Sequence, residues 1–187
     1  MKLEKFDALV EALGSLPSVG KKSAQRFAYH LILNDTLNAM KISHAIKNAV
    51  RSIRSCDKCG GISEHEICDI CLDDRRDKSK LCITENPKDI FVLEENNIYN
   101  GVYFVLNSLE DECMSKLKKI IDSDIKEVIF ALTPSLANDG VILFVEDKLK
   151  EFNLKFTKIA QGVPTGVHLE NVDMLSLSKA INLRTKI

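Results

Sequence analysis

Hydrophobic positions in the first third of the chain follow the period of an α-helix. Apolar residues recur on one helix face at positions 6, 9, 10 and 13, and Gly14 follows them as a stop signal. After the short turn LPSVG (16–20), a second amphipathic run has apolar residues at positions 24, 27, 28, 31 and 32. A third run, from Thr36 to Arg54, has them at positions 39, 42, 46, 49, 50 and 53. The pattern predicts three helices, of which the third packs against the first two.

After a cysteine-rich segment, the pattern changes to short apolar runs that are rich in β-branched residues. Four runs predict strands: KLCITE (80–85), DIFVLEE (89–95), GVYFVLN (101–107) and EVIFALT (127–133). Two amphipathic runs predict helices: DECMSKLKKIID (111–122) and GVILFVEDKLKEF (140–152). A further strand, KFTKIA (155–160), precedes Gly/Pro turns and a predicted helix over 171–183. Strands that alternate with helices favour a largely parallel sheet, so we predict an α/β multidomain fold.

Length and composition are those of an ordinary globular protein. With 187 residues, 45% hydrophobic and 28% charged, the chain can form one large domain or two small ones. It has no run of 18 apolar residues of the kind that spans a membrane. Its first residues, MKLEKFDALVEALGSL, mix charged and apolar side chains, whereas a secretory signal needs an uninterrupted apolar core. We therefore expect a cytoplasmic protein.

Charge is distributed unevenly along the chain. The net charge is −1, yet residues 1–54 hold nine Lys/Arg against four acidic residues, so residues 55–187 carry the compensating negative charge. A basic end on a nearly neutral chain suggests an anionic partner. The alternative is a solvated helix surface with no partner at all.

Four cysteines occur in the spacing C-x2-C-x8-C-x2-C, at Cys56, Cys59, Cys68 and Cys71. A disulfide framework is unusual in a reducing compartment, and a thioredoxin-type redox site needs only one CxxC after a strand. Two facing CxxC turns suit tetrahedral Zn²⁺, and four thiolates leave no position for a water. The spacing therefore predicts one structural zinc ion per chain.

Neighbouring residues refine the zinc prediction. Gly60 and Gly61 allow a tight turn in which backbone N–H groups point at the sulfur atoms. His65 lies between the two cysteine pairs, but four cysteines already complete the coordination, so we interpret it as a solvated loop residue. Cys82 and Cys113 lie in apolar or mixed runs, and we expect both to be packing residues.

The turn between the first two helices carries the candidate DNA-binding residues. Gly20 stands just before the second helix, whose unpaired N–H groups and positive dipole suit a phosphate. Lys21, Lys22 and Arg26 lie on its opening turns. This turn resembles a helix-hairpin-helix DNA-binding element in which Ser18 replaces the first glycine. Phosphate contacts carry no base information, so binding should be non-specific and salt-sensitive. The alternative is an αα-hairpin that only packs.

Acidic residues at strand ends raise the possibility of catalysis. Glu85 ends the first predicted strand and Asp139 follows a later one, and carboxylates in such positions can hold Mg²⁺. Two-metal phosphoryl chemistry needs several carboxylates around closely spaced ions. No D-x-D pair follows the 127–133 strand, and Asp122 and Asp124 precede it as predicted turn residues. A metal-dependent nuclease or primase is therefore kept only as the alternative.

The order of these parts resembles the RecR family of bacterial recombination mediators. The resemblance rests on the hairpin LPSVGKKSAQRFAYHL, the cysteine motif CDKC…CDIC, the strand that ends in Glu85, and the tail IAQGVPTGVHLENVDMLSL. It implies a helix-hairpin-helix region (1–54), a four-cysteine zinc finger (55–75), a Toprim-like domain (78–160) and a C-terminal strand-helix extension (161–187).

The resemblance also implies a function and site residues. RecR-like proteins assemble from dimers into ring tetramers on gapped, single- or double-stranded DNA, and with RecO and RecF they help to load RecA in recombinational DNA repair. They are not themselves enzymes. By matching motifs, the DNA-contacting residues fall on Lys22 and Arg26, and the Toprim acids fall on Glu85 and Asp89.

The middle of the chain departs from the family pattern. Phe104 stands where the family has histidine, and Ala137 stands at one of two acidic positions, of which Asp139 keeps the other. These departures count against Mg²⁺ and leave Glu85, Asp89 and Asp139 as partner-binding or vestigial metal residues. A zinc-stabilised interaction module without a DNA role is a third hypothesis.

Overall fold

The order of elements along the chain is helical first and mixed α/β afterwards. The computed structural model describes residues 3–121 and 124–183. It divides into two units, Met1–Ile53 and Arg54–Ile187. None of the helices in the described residues is long and apolar enough to cross a membrane.

The N-terminal unit confirms the three predicted helices. Helix α1 spans Glu4–Gly14, α2 spans Lys21–Tyr29, and α3 spans Thr36–Ser52. A π-helical turn, His30–Asn34, joins α2 to α3. The Asp35 side chain then caps α3 by accepting a 3.0 Å hydrogen bond from the backbone N–H of Asn38.

Small residues bring α1 and α2 together. Ala24 and Ala28, one turn apart on α2, are fully buried, and a Cβ atom at Gly14 would lie 3.7 Å from the Cβ of Ala24. The Phe6 and Tyr29 rings, 4.8 Å apart, close one end of this contact. Helix α3 has no buried residue, and the element it contacts most is the π-helical turn. The expected packing of the third helix on the first two is therefore wrong for the single chain.

The cysteine-rich segment folds as a small hairpin with a short helix. Strands β1 (Arg54–Ser55) and β2 (Ile62–Ser63) pair antiparallel, and helix α4 spans Asp69–Leu72. Each element is too short to be stable alone. The folded structure of this segment must therefore be stabilised by the contacts among the cysteines and by the sheet that follows.

A parallel four-stranded sheet forms the centre of the second unit and confirms the predicted sheet type. Its strands are β3 (Asp77–Thr84), β4 (Gly101–Val105), β5 (Glu127–Ala131) and β6 (Lys155–Lys158). They lie in the order β4-β3-β5-β6, and every pair is parallel. The carboxyl ends of β3 and β5 therefore lie side by side, which brings the residues after these strands to one edge of the sheet.

Alternating residues of β3 divide the core into two layers. Leu81 and Ile83 pack with apolar residues of helices α6 (Asp111–Ile121) and α7 (Leu136–Lys148). Cys82 faces the other way and packs with Ile90, Tyr103 and Val105. This period of two is expected of a strand that is buried on both faces. Cys82 and Cys113 are both buried in the core, as predicted.

One predicted strand is wrong. Residues 89–95 belong to helix α5, Pro87–Glu95. Asn86 and Asp89 form a reciprocal capping box, and Pro87 occupies the first turn, where its missing N–H costs nothing. The run Ile90-Phe91-Val92, with two β-branched residues and one aromatic, favours a strand, but these start signals outweigh its intrinsic preference.

The C-terminal segment leaves the sheet after β6. It contains a turn with Gly166 at φ 82°, a 3₁₀ turn at Leu169–Asn171, and helix α8 at Met174–Asn182. The Asp173 side chain starts α8 by accepting a 2.9 Å hydrogen bond from the N–H of Ser176. The predicted strand over 155–160 is β6 of the sheet, and α8 confirms the predicted helix, but residues 161–183 contain no strand of the implied strand-helix extension, whose last residues, 184–187, lie outside the described residues.

Candidate nucleic-acid interface and metal centre

The start of α2 is open to an anion. Gly20, the residue before the helix, has an extended backbone (φ −80°, ψ 165°), and no side chain in the described residues caps the helix there. A Cβ atom at Gly20 would meet no atom within 4 Å. The fold of the free chain therefore does not require glycine at this position. A ligand that approaches the backbone closely does explain it.

The turn before Gly20 carries backbone strain. Ser18 has φ 65°, the left-handed conformation that favours glycine, and it stands at the position where the hairpin element usually has one. The N–H of Val19 donates to the carbonyl oxygen of Leu16 at 3.1 Å and closes the turn. The turn therefore keeps the left-handed geometry at this position without the glycine.

Three cations surround this helix start. Lys21, Lys22 and Arg26 are all exposed, and none pairs with a carboxylate in residues 3–121 or 124–183. The Arg26 guanidinium lies 5.7 Å from the centre of the Phe27 ring, which supports it without neutralising it. Free N–H groups and unpaired cations at one helix end can together hold a phosphate.

The four cysteine sulfur atoms converge on one point. All lie within 4.8 Å of one another, with 3.6 Å between Cys59 and Cys68 and 3.9 Å between Cys56 and Cys71. Zinc–sulfur bonds of about 2.3 Å in a tetrahedron place the sulfurs about 3.8 Å apart. The spacing of the side chains therefore fits Zn²⁺. In the part of the chain that the structure describes, no other group of three or more potential ligands comes together.

The backbone of the zinc finger supports the sulfur atoms as its glycines predicted. The N–H of Gly61 donates to Cys59 Sγ at 3.3 Å, and the N–H of Cys68 donates to Cys56 Sγ at the same distance. Gly60 has φ 75°, which a residue with a Cβ adopts only under strain. The two N–H to sulfur hydrogen bonds stabilise thiolates, and they orient the cysteine side chains before a metal binds.

The four thiols lie so close together that they cannot all be ionised without a nearby positive charge. The hydrogen bonds of Cys68 with Cys59 and then Cys71 lower the pKa of Cys68, whereas the hydrogen bond with Cys68 raises the pKa of Cys59. The pKa of Cys71 is raised as well, first by its hydrogen bond with Cys59. Thiolates at this spacing need a cation to neutralise them, and a zinc ion supplies that charge.

The first cysteine turn, at Cys59 and Gly60, also joins the zinc finger to the sheet. The N–H of Val105, at the end of β4, donates to the carbonyl oxygen of Cys59 at 2.8 Å. A Cβ atom at Gly60 would lie 3.3 Å from the Cβ of Val105, so the chain passes close to the strand. The metal centre therefore braces the finger against the outer edge of β4. His65 is exposed, as expected of a solvated loop residue.

The candidate Toprim acids each have partners of their own. The Glu85 carboxylate accepts hydrogen bonds from the hydroxyl of Thr133, at 2.8 Å, and from the side-chain amide of Asn138. Asp139 pairs with Lys158 at 3.1 Å. Asp89 accepts a 3.0 Å hydrogen bond from the N–H of Asn86 in the capping box of α5.

These three acids do not form a cation site together. The Glu85 carboxylate accepts hydrogen bonds from two neutral donors, the Asp139 carboxylate pairs with a lysine, and the Asp89 carboxylate caps the start of a helix. Mg²⁺ requires oxygen ligands that converge in near-octahedral geometry, so the residues present do not fit it. Of the D-x-D pair, Asp124 is exposed and Asp122 lies outside the described residues.

Sequence reasoning missed a partly buried ion pair next to the zinc finger. Arg76 donates to both carboxylate oxygens of Glu94, to the carbonyl oxygen of Gly101 at 3.1 Å, and lies 5.9 Å from the Tyr103 ring centre. Tyr103 donates to Glu94 at 2.6 Å. Burial alone would raise the pKa of Glu94, but the hydrogen bonds from Arg76 and Tyr103 hold it below its usual value. The only local signal was the run DDRRD after the last cysteine of the finger.

Three family models match consecutive parts of the chain. The model of the RecR helix-hairpin-helix matches residues 6–50. The model of the RecR four-cysteine zinc finger domain matches residues 53–73, and a Toprim domain model matches residues 79–160. The matches follow the order in which the sequence suggested these parts.

Curated relatives match over nearly the whole chain, and each carries the name Recombination protein RecR. The protein of a Nitratiruptor species is 57% identical over 187 residues, which cover 100% of this chain and 98% of the relative. A protein of Campylobacter jejuni is 55% identical over 186 residues (99% and 98%), and one of Helicobacter pylori is 50% identical over 185 residues (98% and 96%). The chain belongs to the RecR family of recombination proteins.

Proposed function

We propose that this protein is a non-catalytic DNA-binding mediator of recombinational repair. One observation carries the proposal: an open helix start lies beside three exposed, unpaired cations in a chain of the RecR family. Gly20, Lys21, Lys22 and Arg26 contact phosphates, and because phosphates are the same at every base pair, binding is independent of sequence. The ligand is gapped, single- or double-stranded DNA, and the protein acts at gapped or single-stranded DNA.

The proposal includes partners and a metal. The protein works with RecO and RecF to help load RecA, and it acts as a homo-oligomer, from dimer to ring tetramer. Several weak hairpin contacts then act together on one DNA molecule, which raises the overall affinity without any new contact. Each chain holds one structural Zn²⁺ ion at Cys56, Cys59, Cys68 and Cys71. A cytoplasmic location keeps these thiols reduced.

A metal-dependent nuclease or primase is the second candidate function. Such an enzyme needs carboxylates that converge on its cations. Glu85, Asp89 and Asp139 each bind a different group of the same chain instead: the Thr133 hydroxyl, the Asn86 N–H and the Lys158 ammonium. This arrangement favours the non-catalytic function. Incubation of DNA with the protein and Mg²⁺ or Mn²⁺ tests this candidate, because turnover of the polynucleotide would support the enzyme.

The mediator proposal is tested by reversing charge at the start of α2. We expect the double variant Lys22→Glu/Arg26→Glu to bind a labelled gapped duplex at least about tenfold more weakly at low salt, since phosphate contacts dominate affinity. Gly20→Ala is the sharper variant. Its added methyl meets no protein atom, so the fold stays intact while the methyl obstructs the approach of a phosphate.

The matched control reverses two exposed cations of the other unit, Lys88→Glu/Lys119→Glu, which form no ion pair in the described residues. It changes net charge by the same amount and should retain most of the affinity. Equal binding by the wild type, the hairpin variant and Gly20→Ala at low salt would refute the proposed DNA contact.

A further inference from the structure

The charge of α3 differs from that of every other described helix of more than ten residues. Its sequence, TLNAMKISHAIKNAVRS, contains three cations and no acidic residue. In the described residues, every ion pair lies between Arg54 and Lys158, and the N-terminal unit contains none. The cations of the second unit are therefore largely neutralised by neighbouring carboxylates, whereas those of α3 are not.

The three cations lie along one side of α3. At 100° per residue, Lys41, Lys47 and Arg51 fall within about one third of the helix circumference. They extend over about 15 Å of the helix axis, at 1.5 Å per residue. All three are exposed, and His44, also exposed, lies between them. We call Lys41, Lys47 and Arg51 the α3 stripe.

Most apolar residues of α3 lie on the side of the helix opposite the α3 stripe. The apolar positions 39, 42, 46, 49, 50 and 53 form that face, whereas Leu37 and Met40, both exposed, lie within the arc of the stripe. The centre of the apolar face is roughly 160° from the centre of the stripe. An assembly that covers the apolar face therefore leaves the three cations on the other side of the helix.

We propose that the α3 stripe is a second contact surface for the sugar-phosphate backbone of DNA. The proposal rests on the proposed function and extends it, because the stripe follows the hairpin in the same unit and adds three cations to the three at the start of α2. Duplex DNA carries one negative charge per about 1.7 Å of its axis, so a row of cations over this length passes several phosphates.

An acidic protein segment is the competing ligand, and the structure favours DNA over it. Protein partners usually anchor apolar side chains in pockets. Two grooves of this unit are lined by Leu3 and residues of α1, α2 and the π-helical turn, and no residue of the stripe lines either one. An extended polyanion needs no such groove.

Salt dependence of binding gives the test. Each lost phosphate contact on a duplex lowers the slope of log K against log salt by about 0.9. We expect Lys41→Gln/Lys47→Gln/Arg51→Gln in the full chain to lower the slope for a labelled gapped duplex by about 2 to 3 and to weaken binding at least about tenfold. Glutamine keeps a high helix propensity, and circular dichroism checks that α3 is retained. The control Lys88→Gln/Lys119→Gln/Lys126→Gln removes the same charge and should change the slope little.

The outcomes separate this inference from the proposed function. If the stripe variant keeps the wild-type slope and affinity while Lys22→Glu/Arg26→Glu loses binding, the stripe inference is wrong and the hairpin contact stands. If only the stripe variant loses binding, the hairpin contact is wrong and the stripe stands. If the stripe variant keeps DNA binding but loses retention on immobilised polyglutamate, the stripe serves an acidic protein and the inference is overturned.

Discussion

The zinc finger and the acidic edge of the sheet (Glu85, Asp89 and Asp139) both carry side chains that bind cations, but they use them differently. In the finger, four sulfur atoms lie within 4.8 Å of one another. At the acidic edge, each carboxylate has a different partner. Glu85 binds two neutral donors, Asp89 binds the N–H at a helix start, and Asp139 binds a lysine. The same chain thus contains one set of ligands that converges and one that does not.

The difference follows from how each set is positioned. The four cysteines lie on two tight turns within 16 residues, so local backbone geometry alone brings the members of each pair together. Glu85 follows β3, Asp89 lies in α5 and Asp139 lies in α7, and only the sheet brings these elements near each other. At that edge Asn138 supplies an amide to Glu85, and the amide takes the place that a metal ion would need. A Toprim-like sheet is therefore insufficient evidence for a metal site.

Loss of a zinc ligand should have the largest effect. We expect Cys59→Ser to lose zinc and to unfold the finger locally, because zinc contributes on the order of 10 kcal/mol to the folding of small zinc peptides. The measurements are zinc content by atomic emission and amide hydrogen exchange over residues 56–71. His65→Ala, an exposed change in the same finger, is the control and should leave both unchanged. Full zinc content and protected amides in Cys59→Ser would contradict the assignment of Cys59 as a ligand.

A second carboxylate at the acidic edge should have an intermediate effect. Asn138→Asp replaces the amide that donates to Glu85 with a like charge, so we expect the free energy of unfolding to fall by about 1–2 kcal/mol without divalent ions. Millimolar Mg²⁺ should raise the melting temperature of this variant, because binding to the folded state alone stabilises it.

Asn138→Ala is the matched control, since it removes the donor without adding charge. Neither this variant nor the wild type should respond to Mg²⁺ beyond the effect of ionic strength. A Mg²⁺-dependent rise in the melting temperature of the wild type would show that the acidic edge already holds a cation, and the contrast with the zinc finger would fail.

The zinc finger and the acidic edge differ in how much of each site can be predicted from the sequence. The cysteine spacing and Gly60-Gly61 specify the finger locally, so its ligands and its backbone hydrogen bonds follow from a short stretch of sequence. The position of Glu85 at a strand end was also predictable from the apolar run before it. Its partners, Thr133 and Asn138, were not, because they lie 48 and 53 residues away and no local pattern indicates which side chain will face Glu85.

Two misreadings in the fold have different physical causes. The helix Pro87–Glu95 carries its own start signals, with Asn86 before a proline and Asp89 three residues later, and these outweigh the strand preference of the β-branched and aromatic residues that follow. The packing of α3 could not be read from the sequence in any way. An amphipathic pattern shows that a helix has an apolar face, but it does not identify the surface that covers this face.

The smallest effect is expected at Asp139. Its pair with Lys158 is about half exposed on both sides, with 46% and 54% of the side chains accessible, and such pairs contribute about 0–1 kcal/mol. We expect Asp139→Asn and Lys158→Gln each to change the free energy of unfolding by no more than about 0.5 kcal/mol, and the double variant to match either one. Denaturant titration at low and high salt measures this, and the effect should vanish at high salt because exposed pairs are screened. A large loss of stability in Asp139→Asn, without one in Lys158→Gln, would mean that Asp139 has a partner other than the lysine, and a cation shared with Glu85 would then be the first alternative.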